Sequence, residues 1–165
     1  MSKILHFICP TDGLEATIQN QFYGNHYFIT SLANSTSFDK DIQIQIKELI
    51  NEVNITDIHL VLSQKNRVIK DAIENRKFDS IPELGLFYKK ILRESKESEY
   101  LWETSRQEKW LISKHLNRQA GKLQMLLDNT RFNNKKIRTL IYNPNDHVFL
   151  NTYSQVITDR KLVLN

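Results

Sequence analysis

The stretch ITDIHLVLSQKNRVIKDAIEN, residues 55–75, decides the fold of this 165-residue chain. An apolar run at residues 58–62 is followed by a polar break at residues 63–66. Apolar residues then recur at helical spacing from Val68 to Ile73. We therefore expect a buried strand, a tight turn and a helix. This is the pattern of a parallel sheet that is covered by helices.

The turn inside this stretch lies where a parallel sheet binds its ligands, at the end of a strand and the start of a helix. It consists of Ser63, Gln64, Lys65, Asn66 and Arg67. It contains no histidine, cysteine or carboxylate. Backbone N–H groups and the helix dipole favour an anion there, and the two basic side chains add charge. The turn is therefore a candidate site for a small anion, and the alternative is an ordinary helix start capped by Ser63.

Strand and helix patterns alternate on both sides of this stretch. Further strands are predicted at residues 4–9, 27–32, 137–142 and 147–150, with a last strand or tail at 156–164. Helices are predicted at residues 14–22 and 42–53, and two or three more within 82–129. Thr11 or Asp12 is the expected cap of the first helix, and Asp39 or Asp41 that of the second. We expect one α/β domain over residues 1–165, three-layered, with a mostly parallel sheet flanked by helices.

Composition is typical of a soluble globular protein, with 25% charged and 40% hydrophobic residues. No apolar run approaches the roughly 20 residues that a membrane helix needs, so no membrane association is expected. The N-terminus lacks the features of a signal peptide, and the single Cys9 excludes an internal disulfide framework. These features predict a cytoplasmic protein.

Four segments occur in an order that is known from one enzyme family. Cys9 follows the first strand, Gly24 and Asn25 precede an aromatic pair, FITSLANS occupies residues 28–35, and residues 59–72 form the strand and helix described above. This order resembles that of the β-class carbonic anhydrases, with their Cys-x-Asp-x-Arg, Gly-Asp-x-Phe, Arg-Asn-Ala-Gly-Asn and Gly-His-x-x-Cys-Gly segments. The resemblance covers most of the chain except residues 82–110, and it implies a β-carbonic anhydrase-like fold.

The resemblance also implies a zinc site formed by two thiolates and one imidazole, and this chain departs from it. Cys9 stands in the place of the first thiolate. Gln64 stands in the place of the imidazole and Arg67 in that of the second thiolate, and neither is a zinc ligand. Thr11 occupies the place of the family's dyad aspartate, and Asp12 follows one residue late. We therefore expect no metal, no cofactor and no zinc-activated water.

We interpret the chain as a non-catalytic carbonic anhydrase-like protein without zinc, which acts as a binding or structural protein. Its expected ligand is a small anion, and Cys9 and Asp12 are expected to lie in the same pocket. One alternative is a metal-free or Cys9-based enzyme that uses this pocket. The other is a nucleic-acid-binding module, which is disfavoured because the basic residues are spread along a chain of net charge +4.

A homodimer is the expected assembly, because the resemblance implies one. The segment 84–110 also carries more apolar side chains than one core requires, and exposed apolar patches mark interfaces. These residues are Leu84, Leu86, Phe87, Tyr88, Ile91, Leu92, Tyr100, Leu101, Trp102 and Trp110. The alternative is that they cover the sheet of their own chain.

Overall fold

A central β-sheet organises the fold. The computed structural model describes residues 1–99, 104–128 and 136–154. Within them the strands are β1 (Lys3–Ile8), β2 (Asn25–Thr30), β3 (Asp57–Ser63), β4 (Lys136–Asn143) and β5 (Val148–Asn151). The sheet has the order β2-β1-β3-β4-β5, with parallel pairing except between β4 and β5. The predicted mostly parallel sheet is thereby confirmed, and the last predicted strand, at 156–164, lies outside the described residues.

Helices follow the strands as the apolar spacing predicts. They are α1 (Glu15–Gln21), α2 (Lys40–Val53), α3 (Arg67–Ile73), α4 (Pro82–Ser98) and α5 (Thr104–Asp128). Two short 3-10 turns, Pro10–Asp12 and Leu32–Asn34, lie at the ends of β1 and β2. The described parts of residues 82–129 therefore supply two helices, and the prediction of an α/β fold with flanking helices is confirmed.

The main core lies between one face of the sheet and helices α2 to α5. Side chains that alternate along the strands, such as Leu5, Leu60 and Ile141, point into it. A smaller core lies on the opposite face, where Ile18 of α1 packs against Ile8 and neighbouring strand residues. Both faces of the central strands are thus covered, which is the layered arrangement that continuous apolar strands require.

One of the predicted helix caps is present in the structure, and two are not. The Asp39 carboxylate accepts from the Ile42 N–H at 3.1 Å, so the predicted cap of α2 is confirmed. Helix α1 has no side-chain cap, and the prediction of Thr11 or Asp12 in that role is wrong. Asn66, not Ser63, caps α3, where it accepts from the first backbone N–H groups of the helix.

Candidate functional site

The carboxyl ends of β1 and β3 are joined by Asp12. One carboxylate oxygen accepts from the Ser63 N–H at 2.8 Å, and the other accepts from the Asn66 side-chain amide at 2.9 Å. Burial raises the pKa of Asp12 to about 6, although both hydrogen bonds favour the charged form. Sequence reasoning placed Asp12 in a pocket but did not find these partners, because they are 51 and 54 residues away.

The N–H groups of Ser63, Gln64, Lys65 and Asn66 at the strand-end turn already have acceptors within the protein. No acceptor of the Arg67 N–H is found among the described residues. The Ser63 N–H donates to Asp12, the Gln64 N–H to the Tyr142 carbonyl and the Lys65 N–H to the Ser63 hydroxyl. The N–H groups of Val68 and Ile69 both donate to the Asn66 side chain. An anion at this turn must therefore be held mainly by side chains. This differs from the sequence-based expectation that backbone N–H groups of the turn favour the anion.

A cleft of about 350 Å³, which we call the strand-end cleft, brings together four of the five predicted turn residues. Gln64, Lys65, Asn66 and Arg67 line it, while Ser63, Cys9 and Asp12 do not. Three further lining residues matter for its chemistry: Ile69 and Lys70 from α3, and Glu108 from α5. Burial raises the pKa of the Glu108 carboxyl, and the nearby Lys70 opposes that shift. The sequence pattern did not indicate Glu108, because it lies on a helix far along the chain.

Lys65 and Arg67 have different freedom to contact a ligand. The Lys65 ammonium donates to the Asn145 side chain at 2.9 Å, which ties it to the turn between β4 and β5. Arg67 is exposed at the start of α3. Of these two side chains, the Arg67 guanidinium is therefore the better placed to bind an incoming anion.

Cys9 is buried at the end of β1 and is held by two hydrogen bonds. Its sulfur accepts from the Ala33 N–H at 3.1 Å and pairs with the Thr11 hydroxyl at 3.1 Å. Within residues 1–99, 104–128 and 136–154, the thiol has no hydrogen bond to a histidine or a carboxylate. A nucleophilic cysteine needs such a base or another group that stabilises its thiolate.

The residues that the resemblance places at the family's ligand positions do not fit zinc. Cys9 supplies one sulfur, but Gln64 offers a neutral amide and Arg67 a fixed positive charge. In the part of the chain that the structure describes, no group of three histidine, cysteine, aspartate or glutamate side chains is arranged to hold a metal ion. No step that requires a zinc-bound water can be derived from this donor set.

Three histidines from neighbouring strands meet on the sheet face that α1 partly covers. His26 donates through Nε2 to the Phe22 carbonyl at 3.1 Å, so its Nδ1 accepts from His6 Nε2 at 3.0 Å. His6 Nδ1 therefore keeps a bare lone pair and is buried without a partner among the described residues. Burial, with the neighbouring His59, lowers the pKa of His6 to about 3. Burial, with Arg138, lowers that of His59 to about 4.

Asn34, which follows β2, connects β1 and β3 through its side chain. Its side-chain amide donates to the Phe7 carbonyl at 3.1 Å and the Val61 carbonyl at 2.9 Å. Asn34 has a φ of 53° and the preceding Ala33 a φ of 51°, both in the left-handed region. Asparagine tolerates this region better than most residues, which explains its use at this bend.

Comparison with known proteins identifies the architecture. No protein-family model matches the sequence, and no curated protein matches it. Among solved structures, a mutant of the β-carbonic anhydrase CafD of Aspergillus fumigatus superposes with a TM-score of 0.73 at 10% identity, covering 93% of this chain and 90% of that chain. CafA of the same fungus gives 0.72 at 12% identity over 99% and 82%. A β-carbonic anhydrase of Sordaria macrospora, described as tetrameric, gives 0.69 at 12% identity over 91% and 80%. The chain therefore has the β-carbonic anhydrase fold.

Proposed function

We propose that the chain is a zinc-free protein of the β-carbonic anhydrase fold that acts as a binding or structural protein. The observation that carries this proposal is the donor set at the strand ends, where the resemblance places Gln64 and Arg67 at the family's histidine and second cysteine positions. An amide and a guanidinium do not replace an imidazole and a thiolate around zinc. A carbonic anhydrase activity that depends on zinc therefore has no support from these residues.

The contacts of Asp12 support a structural role for the same strand ends. Its carboxylate connects the turn after β1 to Ser63 and Asn66, and Asn66 in turn caps α3. These hydrogen bonds hold the β3–α3 turn in place without a metal ion. Buried polar networks of this kind rigidify a structure when their members are satisfied.

The ligand that this cleft supports is a small anion. Lys65, Arg67 and Lys70 bring three positive charges to it, against the single carboxylate of Glu108 among the lining residues. Arg67 offers a planar fork that matches a carboxylate or an oxyanion. We therefore assign anion binding to the side chains of Gln64, Lys65 and Arg67, with Ser63 and Asn66 contributing through the turn that they stabilise.

The anion proposal predicts a ligand-dependent change in thermal stability. Sulfate should raise the melting temperature of the wild-type protein, because a ligand that binds only the folded state stabilises it by about 2.7 kcal/mol at 100 times its Kd. Arg67→Ala should reduce this increase, because it removes the contribution of the strand-end turn, as measured by differential scanning fluorimetry at constant ionic strength. Arg93→Ala, an exposed arginine on α4, is the matched control and should keep the wild-type response. An equal response in Arg67→Ala would place the anion elsewhere.

A Cys9-based enzyme and a nucleic-acid-binding module are the alternative functions. Cys9 is fully buried and its sulfur is occupied by Ala33 and Thr11, which disfavours a nucleophilic thiolate. A nucleic-acid interface requires a continuous basic stripe. The strand-end cleft, which includes Glu108 and the apolar Ile69, does not form one.

We also propose that the chain forms a homodimer, with fewer interface residues than the sequence suggests. Five of the apolar residues assigned to an interface, Leu84, Phe87, Tyr88, Ile91 and Trp110, are buried within their own chain. The interface argument is wrong for these five, because they cover the sheet and neighbouring helices. Leu92 is half-buried, and Leu86 is 82% exposed. Tyr100, Leu101 and Trp102 lie outside the described residues.

Self-association is therefore tested at Leu86. Sedimentation at micromolar concentration should give the mass of a dimer for the wild-type protein. Leu86→Asp should shift the distribution toward monomer, because a charge in an apolar contact must be desolvated. Met125→Asp, at a 74% exposed residue of α5, is the matched control and should leave the mass unchanged. A monomer mass for the wild-type protein would exclude the dimer at that concentration.

No helix in the described ranges is long and apolar enough to cross a membrane.

A further inference from the structure

A second cleft lies between the loop 35–37 and the helices α4 and α5, and none of its lining residues belongs to the strand-end cleft. Its volume is about 330 Å³. Three cations line it: Lys90 from α4, and Arg118 and Lys122 from α5. Glu83 is the carboxylate among its lining residues. We call this space the α4–α5 cleft.

The protein does not balance the positive charge of this cleft. Arg118 donates to the buried Glu94, which Lys114 also approaches at 3.8 Å. Within the described parts of the chain, no carboxylate lies within ion-pair distance of Lys90 or Lys122. Two of the three cations are therefore unpaired, and the third shares its one partner with another lysine.

The environment of Lys90 shows the consequence of this imbalance. Lys90 is half-buried on α4. Burial lowers the pKa of its ammonium, and Arg118 and Lys122 lower it further, while Glu94 opposes the shift. Like charges that are held together in a partly desolvated space repel each other. A bound anion would relieve that repulsion.

The floor of the cleft is built from buried polar side chains with fixed partners. His115 and Gln119 are 4% and 3% exposed. His115 Nε2 donates to the Ala33 carbonyl at 2.7 Å, and Gln119 Nε2 donates to the Thr36 carbonyl at 3.1 Å. These hydrogen bonds hold the loop against α5, so the cations of the helices and the residues of the loop line one space with a defined geometry. Such preorganisation reduces the entropic cost of binding.

We propose that the α4–α5 cleft is a binding site for a phosphate group. Lys90, Arg118 and Lys122 supply the charged contacts, and the Ser35 hydroxyl can add a hydrogen bond. The Ser37 hydroxyl already donates to Asp39, and the Thr36 hydroxyl already pairs with Ser31. A guanidinium has five N–H donors, so Arg118 can bind Glu94 and still donate to a phosphate oxygen. Phosphate suits the site better than a monoanion, because two unpaired ammonium groups and a guanidinium surround a cleft with one lining carboxylate.

Isothermal titration calorimetry with inorganic phosphate at constant ionic strength tests this site. Lys90→Gln and Lys122→Gln should each raise the Kd at least about tenfold, since a hydrogen bond to a charged group contributes that much or more. Neither lysine has an internal ion pair among the described residues, so both variants should fold. Urea denaturation of each variant checks this. Arg118 is left intact because Glu94 depends on it.

Two controls make each outcome decisive. Lys96→Gln removes an exposed charge from α4 outside the cleft and should leave the Kd unchanged. Lys65→Gln combined with Arg67→Gln weakens any phosphate binding at the strand-end cleft and should leave the Kd of the α4–α5 cleft unchanged. Loss of phosphate binding in that double variant but not in Lys90→Gln would overturn the proposal, as would an equal effect of Lys96→Gln. A wild-type protein that binds no phosphate would also overturn it, whereas the strand-end proposal rests on its own response to sulfate.

Discussion

Lowering the pH from 7 to about 4.5 is expected to destabilise the folded protein by about 4 kcal/mol. Three buried histidines cause this loss. The pKa of His6 is lowered from 6.5 to about 3, and those of His59 and His115 to about 4, in each case mainly by burial. The unfolded chain takes up protons at these histidines as the pH falls through 6.5, while the folded chain resists until about pH 4. Stability is therefore fully present above pH 6.5 and is lost below it.

Asp12 opposes this trend. Its pKa is raised to about 6 in the folded state, so the folded protein gains a proton there before the unfolded chain does. Protonation of Asp12 therefore stabilises the folded protein by about 2 kcal/mol at the lower pH. Each of the three histidines destabilises it by about 2 kcal/mol over the same range. The histidines prevail because three of them shift in the same direction.

Urea denaturation at the two pH values measures this effect. His59→Gln should reduce the pH dependence, because it removes one of the shifted groups. His147→Gln, at an exposed residue of the turn before β5, is the comparison variant, and it should change the pH dependence less than His59→Gln does. A free energy of unfolding that is equal at both pH values would show that these histidines do not remain neutral in the folded protein.

Glu94→Ala is expected to lower the free energy of unfolding by about 3 kcal/mol. Glu94 is 3% exposed on α4, and its carboxylate binds Arg118 and Lys114 of α5. Removal of the carboxylate leaves two partly buried cations without their partner. The same contacts connect α4 to α5, so the loss should affect the packing of this helix pair on the sheet.

An exposed ion pair on the same helix provides the control. Arg93 and Glu97 are 3.8 Å apart, with side chains that are 68% and 53% exposed. Glu97→Ala should cost less than about 0.5 kcal/mol, because water screens exposed pairs. Urea denaturation of both variants compares the two sites. If Glu94→Ala costs no more than Glu97→Ala, the buried pair makes no special contribution to stability.

The sequence predicted those parts of the fold that depend on neighbouring residues. The apolar spacing of α2 and its cap at Asp39 are local, and both were found where the pattern indicates. The strand, turn and helix of residues 55–75 follow for the same reason. The resemblance to β-carbonic anhydrases rests on the order of such segments, and the solved structures confirm the fold that it implies.

The site was predicted less completely because its contacts depend on the order of the strands. Asp12 was expected to cap α1, but β1 pairs with β3 and so places Asp12 beside Ser63. His6 and His59 are partners in the register of that pair, and no spacing along the chain shows it. The buried face of α4 was interpreted as surplus because the sequence does not show how much sheet the other helices leave uncovered.

The zinc content of the purified protein tests the proposal that this chain is a zinc-free protein of the β-carbonic anhydrase fold. Elemental analysis, after purification without chelators, should find far less than one zinc per chain, because the resemblance places Gln64 and Arg67 where the family has two zinc ligands. The same sample should hydrate carbon dioxide no faster than buffer alone. One tightly held zinc per chain, retained after dialysis, would contradict the account, and carbon dioxide hydration that depends on that zinc would identify an active carbonic anhydrase.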